Sequence, residues 1–132
     1  MNVIFVYCEV TEDNRIADVS LELCSKARKM ADILDTQVEA LVIGRDVEDM
    51  ESQLSLYGVD VINYVNDSRL QSYQTLPHFK IVSGIIEERK PEIVLFGATA
   101  VGRDLGPRVA SYLKCGLTAD CTNLEIGNHT DA

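Results

Sequence analysis

The chain has few of the residues from which common functional sites are built. Of its 132 residues only two are histidine, only 6% are aromatic, and the four cysteines form no CxxC pair. A zinc site, a thioredoxin-like redox motif and a base-stacking platform therefore have no support in the sequence. No Ser-His-Asp or Cys-His set can be assembled, because neither His78 nor His129 is accompanied by a marked partner. We expect His78 to be exposed in the first turn of a helix.

Basic residues are also scarce, since 12 lysines and arginines stand against 21 acidic residues, for a formal net charge of −9. Such a chain is a poor partner for nucleic acid or for an anionic membrane. The apolar stretch over residues 3–10 is too short to cross a bilayer and contains Glu9. No basic segment precedes it, as one would in a signal peptide. We therefore expect one domain in a reduced, cytoplasmic setting, with its cysteines serving as small core residues.

The sequence does contain a repeated alternation of strand and helix patterns. Five extended segments are predicted, at residues 3–8, 38–43, 61–65, 92–96 and 117–126. Four helices are predicted between them, beginning near Asp18, Asp46, Thr75 and Arg103. Asp18 or Ser20 is expected to cap the first helix, and Thr75 to cap the third. This alternation predicts right-handed crossovers and a three-layer α/β domain around a parallel sheet.

One segment is more informative than the others. The apolar strand at 92–96 is followed by Gly97, Ala98 and Thr99, and then by a helix with Pro107 expected in its first turn. Where side chains are this small, the backbone can approach a ligand or a neighbouring chain, and a helix N-terminus attracts anions. The alternative is that the glycines only permit tight packing of helix on strand. Neither GxxxxGK[ST] nor GxGxxG is present, so this is not a standard phosphate loop.

Two arginines and one acid on this helix are each given a separate interpretation. We expect Arg103 to make an intermolecular contact, because its charged fork can hold a carboxylate or phosphate. Asp104 is interpreted as an acid at a helix start. Arg108 is interpreted as a solvated or salt-bridged surface residue.

The order of residues in this region resembles a family signature. The residues 97–99, 102–105, 107–110 and 116–122 are similar to those of the N-terminal domain of electron transfer flavoprotein alpha subunits. The resemblance covers nearly the whole chain. The sequence is similar to those of alpha subunits paired with butyryl-CoA-type dehydrogenases.

The resemblance implies a fold and a domain arrangement. The fold would be a three-layer α/β/α domain of the adenine nucleotide alpha hydrolase-like type, with a mainly parallel five-stranded sheet in the order 3-2-1-4-5. Residues 1–126 would be the alpha-subunit N-terminal domain, and 127–132 a polar tail or the start of a linker. The C-terminal FAD-binding domain of such subunits would lie outside this chain.

The resemblance also implies a function without a catalytic site in this domain. The domain would dock on an electron transfer flavoprotein beta subunit. The parent heterodimer would carry electrons through FAD, from acyl-CoA dehydrogenase-type flavoenzymes of fatty acid β-oxidation to a downstream acceptor. A second FAD or an AMP would belong to the beta subunit, and none is expected to bind this chain tightly. The alternative is a free-standing adenine-nucleotide-binding module of the stress-protein type.

The candidate residues for cofactor binding or a subunit interface come from two stretches. They are Gly97, Ala98, Thr99, Gly102, Arg103, Asp104, Thr118, Asp120 and Cys121. For Thr118 and Asp120 the alternative is local hydrogen bonding in a turn. Cys121 is interpreted as an interface residue rather than a redox thiol, because neither Cys nor His lies near it in the sequence.

Overall fold

The computed structural model describes residues 3–44, 50–70, 73–91, 93–97, 99–113 and 123–127. Strands and α-helices alternate along these residues, as the sequence predicts. They are β1 (Val3–Cys8), α1 (Asp18–Leu34), β2 (Gln37–Gly44), α2 (Glu51–Ser55), β3 (Val61–Asn66), α3 (Thr75–Arg89), β4 (Ile93–Gly97), α4 (Ala100–Leu113) and β5 (Asn123–Gly127). Between β3 and α3 lies a single 3₁₀ turn at Ser68–Leu70.

The five strands form one sheet in the order β3-β2-β1-β4-β5, and all neighbouring strands are parallel. The predicted order 3-2-1-4-5 is therefore confirmed. On β1, Ile4 and Val6 face the core layer formed with α1, whereas Phe5 and Tyr7 face the layer formed with α3 and α4. Because both faces are covered, β1 is an uninterrupted apolar run rather than an alternating one.

Two predicted helix caps are wrong. Position 17 precedes α1 in extended conformation, and neither Asp18 nor Ser20 caps the helix. The Ser20 hydroxyl instead accepts a hydrogen bond from the Glu9 N–H at 2.8 Å. Thr75 is the first residue of α3 rather than its cap, and its hydroxyl donates to Asp104 at 2.9 Å. In both cases the local pattern assigns the hydroxyl to the helix end, but the hydroxyl is hydrogen-bonded to a residue outside its own helix.

Helix α4 begins at Ala100, three residues before the predicted start. Thr99 is its cap, because the Thr99 hydroxyl oxygen accepts the Gly102 N–H at 3.0 Å and its carbonyl accepts the Arg103 N–H at 2.8 Å. Pro107 consequently lies inside the helix and not in its first turn. Since proline has no N–H, it cannot donate to the carbonyl one turn earlier.

Other boundaries differ from expectation by small amounts. The described part of α2 is Glu51–Ser55, so the predicted start at Asp46 lies outside the described residues. The helix ends at Ser55 with Leu56 as its C-cap, so Gly58, the expected end, lies in the following turn with a φ of 85°. Strand β5 includes Gly127, so the prediction that the tail begins at this residue is wrong by one position.

Cys8 and Cys24 are buried core residues, as predicted, with their Sγ atoms 3.8 Å apart. Cys115 and Cys121 lie outside the described residues. In the described part of the chain, no helix has the length and apolarity needed to cross a bilayer. The cytoplasmic location stays a prediction.

Candidate functional site

The small-residue corner after β4 is filled by contacts within the domain. A Cβ placed on Gly102 would lie 1.9 Å from the Gly97 carbonyl oxygen, so only glycine fits there. A Cβ on Gly97 would lie 3.1 Å from the Glu9 carboxylate and 3.3 Å from Val19. The close approach of α4 to β4 thus accounts for Gly102, as our alternative interpretation proposed, whereas at Gly97 the side chains of Glu9 and Val19 leave little room. Contact of this corner with a ligand or partner stays a prediction.

Thr99 and Glu9 close the N-terminus of α4. The Thr99 hydroxyl donates to Glu9 Oε2 at 2.6 Å while it accepts the Gly102 N–H. Burial raises the pKa of Glu9, and the hydrogen bond from Thr99 partly offsets this. The Glu9 carboxylate is thus tied to the capping residue of α4 by a hydrogen bond within the domain. Sequence analysis missed Glu9, although its position directly after a buried strand was a usable signal.

Asp104 joins α4 to the start of α3. Its carboxylate accepts hydrogen bonds from the Tyr73 hydroxyl at 2.7 Å, the Thr75 hydroxyl at 2.9 Å and the Arg108 Nε at 2.9 Å. These hydrogen bonds lower the pKa of Asp104 to about 2, and the bond from Tyr73 contributes most. The interpretation of Asp104 as a helix-start acid is wrong, because the helix begins four residues earlier. The interpretation of Arg108 as salt-bridged is confirmed.

His78 is buried, with 3% of its surface exposed, so the expectation that it is exposed is wrong. It lies in the first turns of α3, and this turn faces the interior. Its Nδ1 lies 2.9 Å from the Gln74 carbonyl oxygen. The centroid of its ring lies 5.1 Å from the centroid of the Tyr73 ring. Burial lowers the pKa of His78. Burial also raises the pKa of Tyr73 to about 12, with a further contribution from Asp104.

A small cavity lies at the carboxyl ends of β1 and β2. Its volume is about 50 Å³, and it is lined by Tyr7, Glu9, Val10, Ile43, Leu70, Tyr73, His78 and Val101. A cavity of this size holds a few water molecules, whereas ligand pockets usually measure about 300–1,000 Å³. This cavity is therefore too small for an adenine nucleotide. In the described ranges, no cluster of three metal-ligating side chains occurs.

The structure brings together only some of the predicted candidates. Gly97, Thr99 and Gly102 meet at the corner, whereas Arg103 is exposed on α4. Within the described part of the chain, the Arg103 side chain has no hydrogen-bond or ion-pair partner. Asp104 lies on α4 but bonds to Tyr73, Thr75 and Arg108 instead of to the corner. The other four candidates lie outside the described residues, and they are Ala98, Thr118, Asp120 and Cys121.

The fold is similar to that of a solved universal stress protein in complex with cAMP. The TM-score is 0.55 over 96% of both chains, at 13% sequence identity. At this identity the likeness shows the fold alone. It agrees with the predicted adenine nucleotide alpha hydrolase-like class.

Sequence relatives are much closer. The chain is 41% identical, over 93% of its length, to the electron transfer flavoprotein subunit alpha of Thermoanaerobacterium thermosaccharolyticum, and it covers 37% of that protein. It is 40% identical, again over 93% of its length, to the acryloyl-CoA reductase electron transfer subunit beta of Anaerotignum propionicum, of which it covers 33%. The chain thus spans about a third of the length of these relatives. Residues 4–131 match the sequence model of the electron transfer flavoprotein domain, and the chain belongs to that family.

Proposed function

We propose that this chain is the N-terminal docking domain of an electron transfer flavoprotein alpha subunit. The observation that carries the proposal is the family match over residues 4–131, together with relatives that bear this name. The domain would hold its partner and would perform no reaction itself. FAD, bound by the rest of the parent heterodimer, would carry the electrons.

The described residues support a structural role for the corner after β4. The Thr99 hydroxyl accepts the Gly102 N–H and donates to the Glu9 carboxylate, and the Gly97 backbone packs on Gly102. Groups that are already hydrogen-bonded to one another have little capacity left for a phosphate. What these residues do instead is fix α4 on the sheet, and this fixed helix presents Arg103 and Arg108 at the surface.

The proposed partners follow from the relatives. A beta subunit would complete the heterodimer, and flavoenzymes of the acyl-CoA dehydrogenase type would supply electrons. The relative from Anaerotignum propionicum is named as an electron transfer subunit of acryloyl-CoA reductase. This name supports flavoenzymes of the acyl-CoA type as partners. A second FAD or an AMP would be held by the beta subunit. We keep the cytoplasm as the proposed location.

The nucleotide-binding alternative is not favoured. The cavity at the carboxyl edge of the sheet, at about 50 Å³, is far smaller than a nucleotide site. The likeness to a stress protein, at 13% identity, extends to the fold only.

Calorimetry with two kinds of titrant tests the proposal. We expect the 132-residue chain to form a one-to-one complex with the cognate beta subunit and to give no heat with AMP, ATP or FAD at micromolar concentration. Micromolar binding of AMP or ATP, without a complex with the beta subunit, would establish the nucleotide-binding module instead.

A further inference from the structure

The small cavity at the carboxyl ends of β1 and β2 is lined by more polar groups than the folded chain bonds. Two of its lining residues, Tyr7 and His78, are only 4% and 3% exposed. In the described part of the chain, no group donates a hydrogen bond to the Tyr7 hydroxyl or accepts one from it. The ring of Tyr7 packs on that of Phe96, with the centroids 5.6 Å apart. The ring of Tyr7 therefore has a partner, whereas its buried hydroxyl has none.

Two further residues at this cavity have one polar atom paired and one unpaired. Glu9 accepts the Thr99 hydroxyl with Oε2 at 2.6 Å, and within the described residues its Oε1 has no donor. The Nδ1 of His78 lies 2.9 Å from the Gln74 carbonyl oxygen and 3.2 Å from the Gln74 backbone nitrogen. The Nε2 of His78 has no partner among the same residues. Together with Tyr7, these residues bring three unpaired polar atoms to the lining of one cavity.

The size and lining of the cavity indicate which kind of molecule can pair these atoms. Buried polar groups in folded proteins nearly all have a hydrogen-bond partner, from the protein or from ordered water. Cavities that stay empty are lined by apolar side chains, whereas polar cavities hold water. At about 50 Å³ this cavity has room for a few water molecules and not for an organic ligand.

Two other buried hydroxyls provide a contrast with Tyr7. The hydroxyls of Thr36 and Ser83 also have no partner in the described residues, but each is fully enclosed, so that water cannot touch it. The Tyr7 side chain, in contrast, lines a space that is wide enough for water. An unpaired buried hydroxyl and room for its partner thus coincide at this cavity.

The charge states of the lining favour a neutral occupant over an ion. Burial raises the pKa values of Tyr7 and Glu9 and lowers that of His78, so each shift favours the uncharged form. Within the described ranges, no three metal-ligating side chains come together. A cation would therefore meet too few ligands, and an anion would meet the Glu9 carboxylate.

We propose that this cavity is an internal hydration site, in which ordered water bonds the Tyr7 hydroxyl and links it to Glu9 and His78. The water joins the end of β1 to the first turns of α3 through hydrogen bonds that the side chains do not make directly. The inference does not rest on the docking function proposed above.

Crystal structures of the 132-residue chain and of its Tyr7→Phe variant test the proposal directly. In the wild type we expect ordered water at about 2.5–3.0 Å from the Tyr7 hydroxyl oxygen. In Tyr7→Phe this water should be lost or displaced, because its partner is gone. An empty cavity in the wild type would overturn the proposal. So would an anomalous signal in the cavity after the crystals are soaked in a rubidium salt, since it would identify a cation site instead.

Thermal midpoints give an independent measurement in solution. If water pairs with the Tyr7 hydroxyl, the midpoint of Tyr7→Phe should equal that of the wild type or lie below it. If the cavity is dry, the variant removes an unpaired buried hydroxyl, and the midpoint should rise by about 3 °C or more. Tyr64→Phe is the matched control, because Tyr64 also lies on a strand but is 47% exposed, and its midpoint should not change. A rise confined to Tyr7→Phe would contradict the hydration site.

Discussion

The two ends of the sheet hold their helices in different ways. At the amino end, charged side chains fasten the elements. Glu39, buried in β2, receives bonds from Arg89 at the end of α3 at 3.1 and 2.6 Å and from Asn63 of β3 at 3.1 Å. Arg28 of α1 likewise donates to Asp60 at 2.8 Å and to the Gly58 carbonyl at 3.0 Å.

At the carboxyl end of the sheet, close backbone contact holds the helix instead of charged side chains. Helix α4 is held against β4 through Gly102 and Gly97, and the capping residue Thr99 turns its hydroxyl to Glu9. The carboxyl end therefore depends on the absence of side chains, whereas the amino end depends on paired charges. The comparison shows how a corner that resembles a ligand loop in sequence can be a packing device in structure.

Substitution of Gly102 by alanine gives the largest expected effect. The new Cβ would lie 1.9 Å from the Gly97 carbonyl oxygen, so α4 must move off β4. We expect a loss of about 3 kcal/mol or more in the free energy of unfolding, measured by urea titration.

Gly84→Ala is the matched control, because its Cβ would meet nothing within 4 Å on α3. There the same substitution should stabilise the chain by about 1 kcal/mol. Equal effects at both glycines would show that contact between α4 and β4 does not determine stability.

Arg89→Ala tests the charged fastening at the amino end. Glu39 would remain in the interior with its ion-pair partner removed, and we expect a loss of about 2 kcal/mol. The control is Arg69→Ala, which removes the exposed pair with Asp67 and should leave the urea midpoint unchanged. A midpoint for Arg89→Ala equal to that of the wild type would mean that water or Asn63 compensates Glu39 fully.

Local patterns sufficed to predict the strands, whereas their order was implied only by the family resemblance. Buried apolar runs such as β1 and β4 can be recognised from neighbouring residues alone. The start of α4 was predicted three residues late, because Pro107 indicated a first turn while the cap at Thr99 was overlooked.

The site required information that is distant in the sequence. Thr99 bonds Glu9 across 90 positions, and Tyr73 bonds Asp104 across 31. His78 was expected in solvent because of its position in the first turn of a helix, but the packing of α3 on Tyr73 buries it. No local pattern contains these pairings, since only the folded sheet brings the partners together.

The pH dependence of stability should differ between the two carboxylates beside α4. The pKa of Glu9 lies above its ordinary value of 4.5 because of burial, so the folded state holds this proton more tightly than the unfolded state. The stability contributed by the protonated form is present below pH 4.5 and is lost as the pH rises through the folded pKa. Glu9→Gln should remove this loss, with a gain below about 1 kcal/mol at pH 7 after solvent screening.

Asp104 has the opposite sign. Its folded pKa of about 2 lies below its ordinary value of 3.8, so its contribution is present above pH 3.8 and is lost as the pH falls toward 2. Thermal midpoints of Glu9→Gln and Asp104→Asn across pH 2–8, with carboxyl-carbon NMR titration, measure both. A Glu9 that titrates at or below 4.5 would contradict the burial argument.

Arg103→Ala has the smallest expected effect on folding and isolates the role of the surface. Within the described residues its guanidinium has no partner, so the thermal midpoint should stay at the wild-type value. If Arg103 makes the predicted intermolecular contact with a carboxylate or phosphate of the beta subunit complex, association should slow in the variant, and its rate should depend less on salt than that of the wild type. Stopped-flow association between 50 and 500 mM salt measures this, with Arg15→Ala, an exposed arginine distant in sequence, as the control. Equal rates for both variants and the wild type would contradict the predicted intermolecular contact of Arg103.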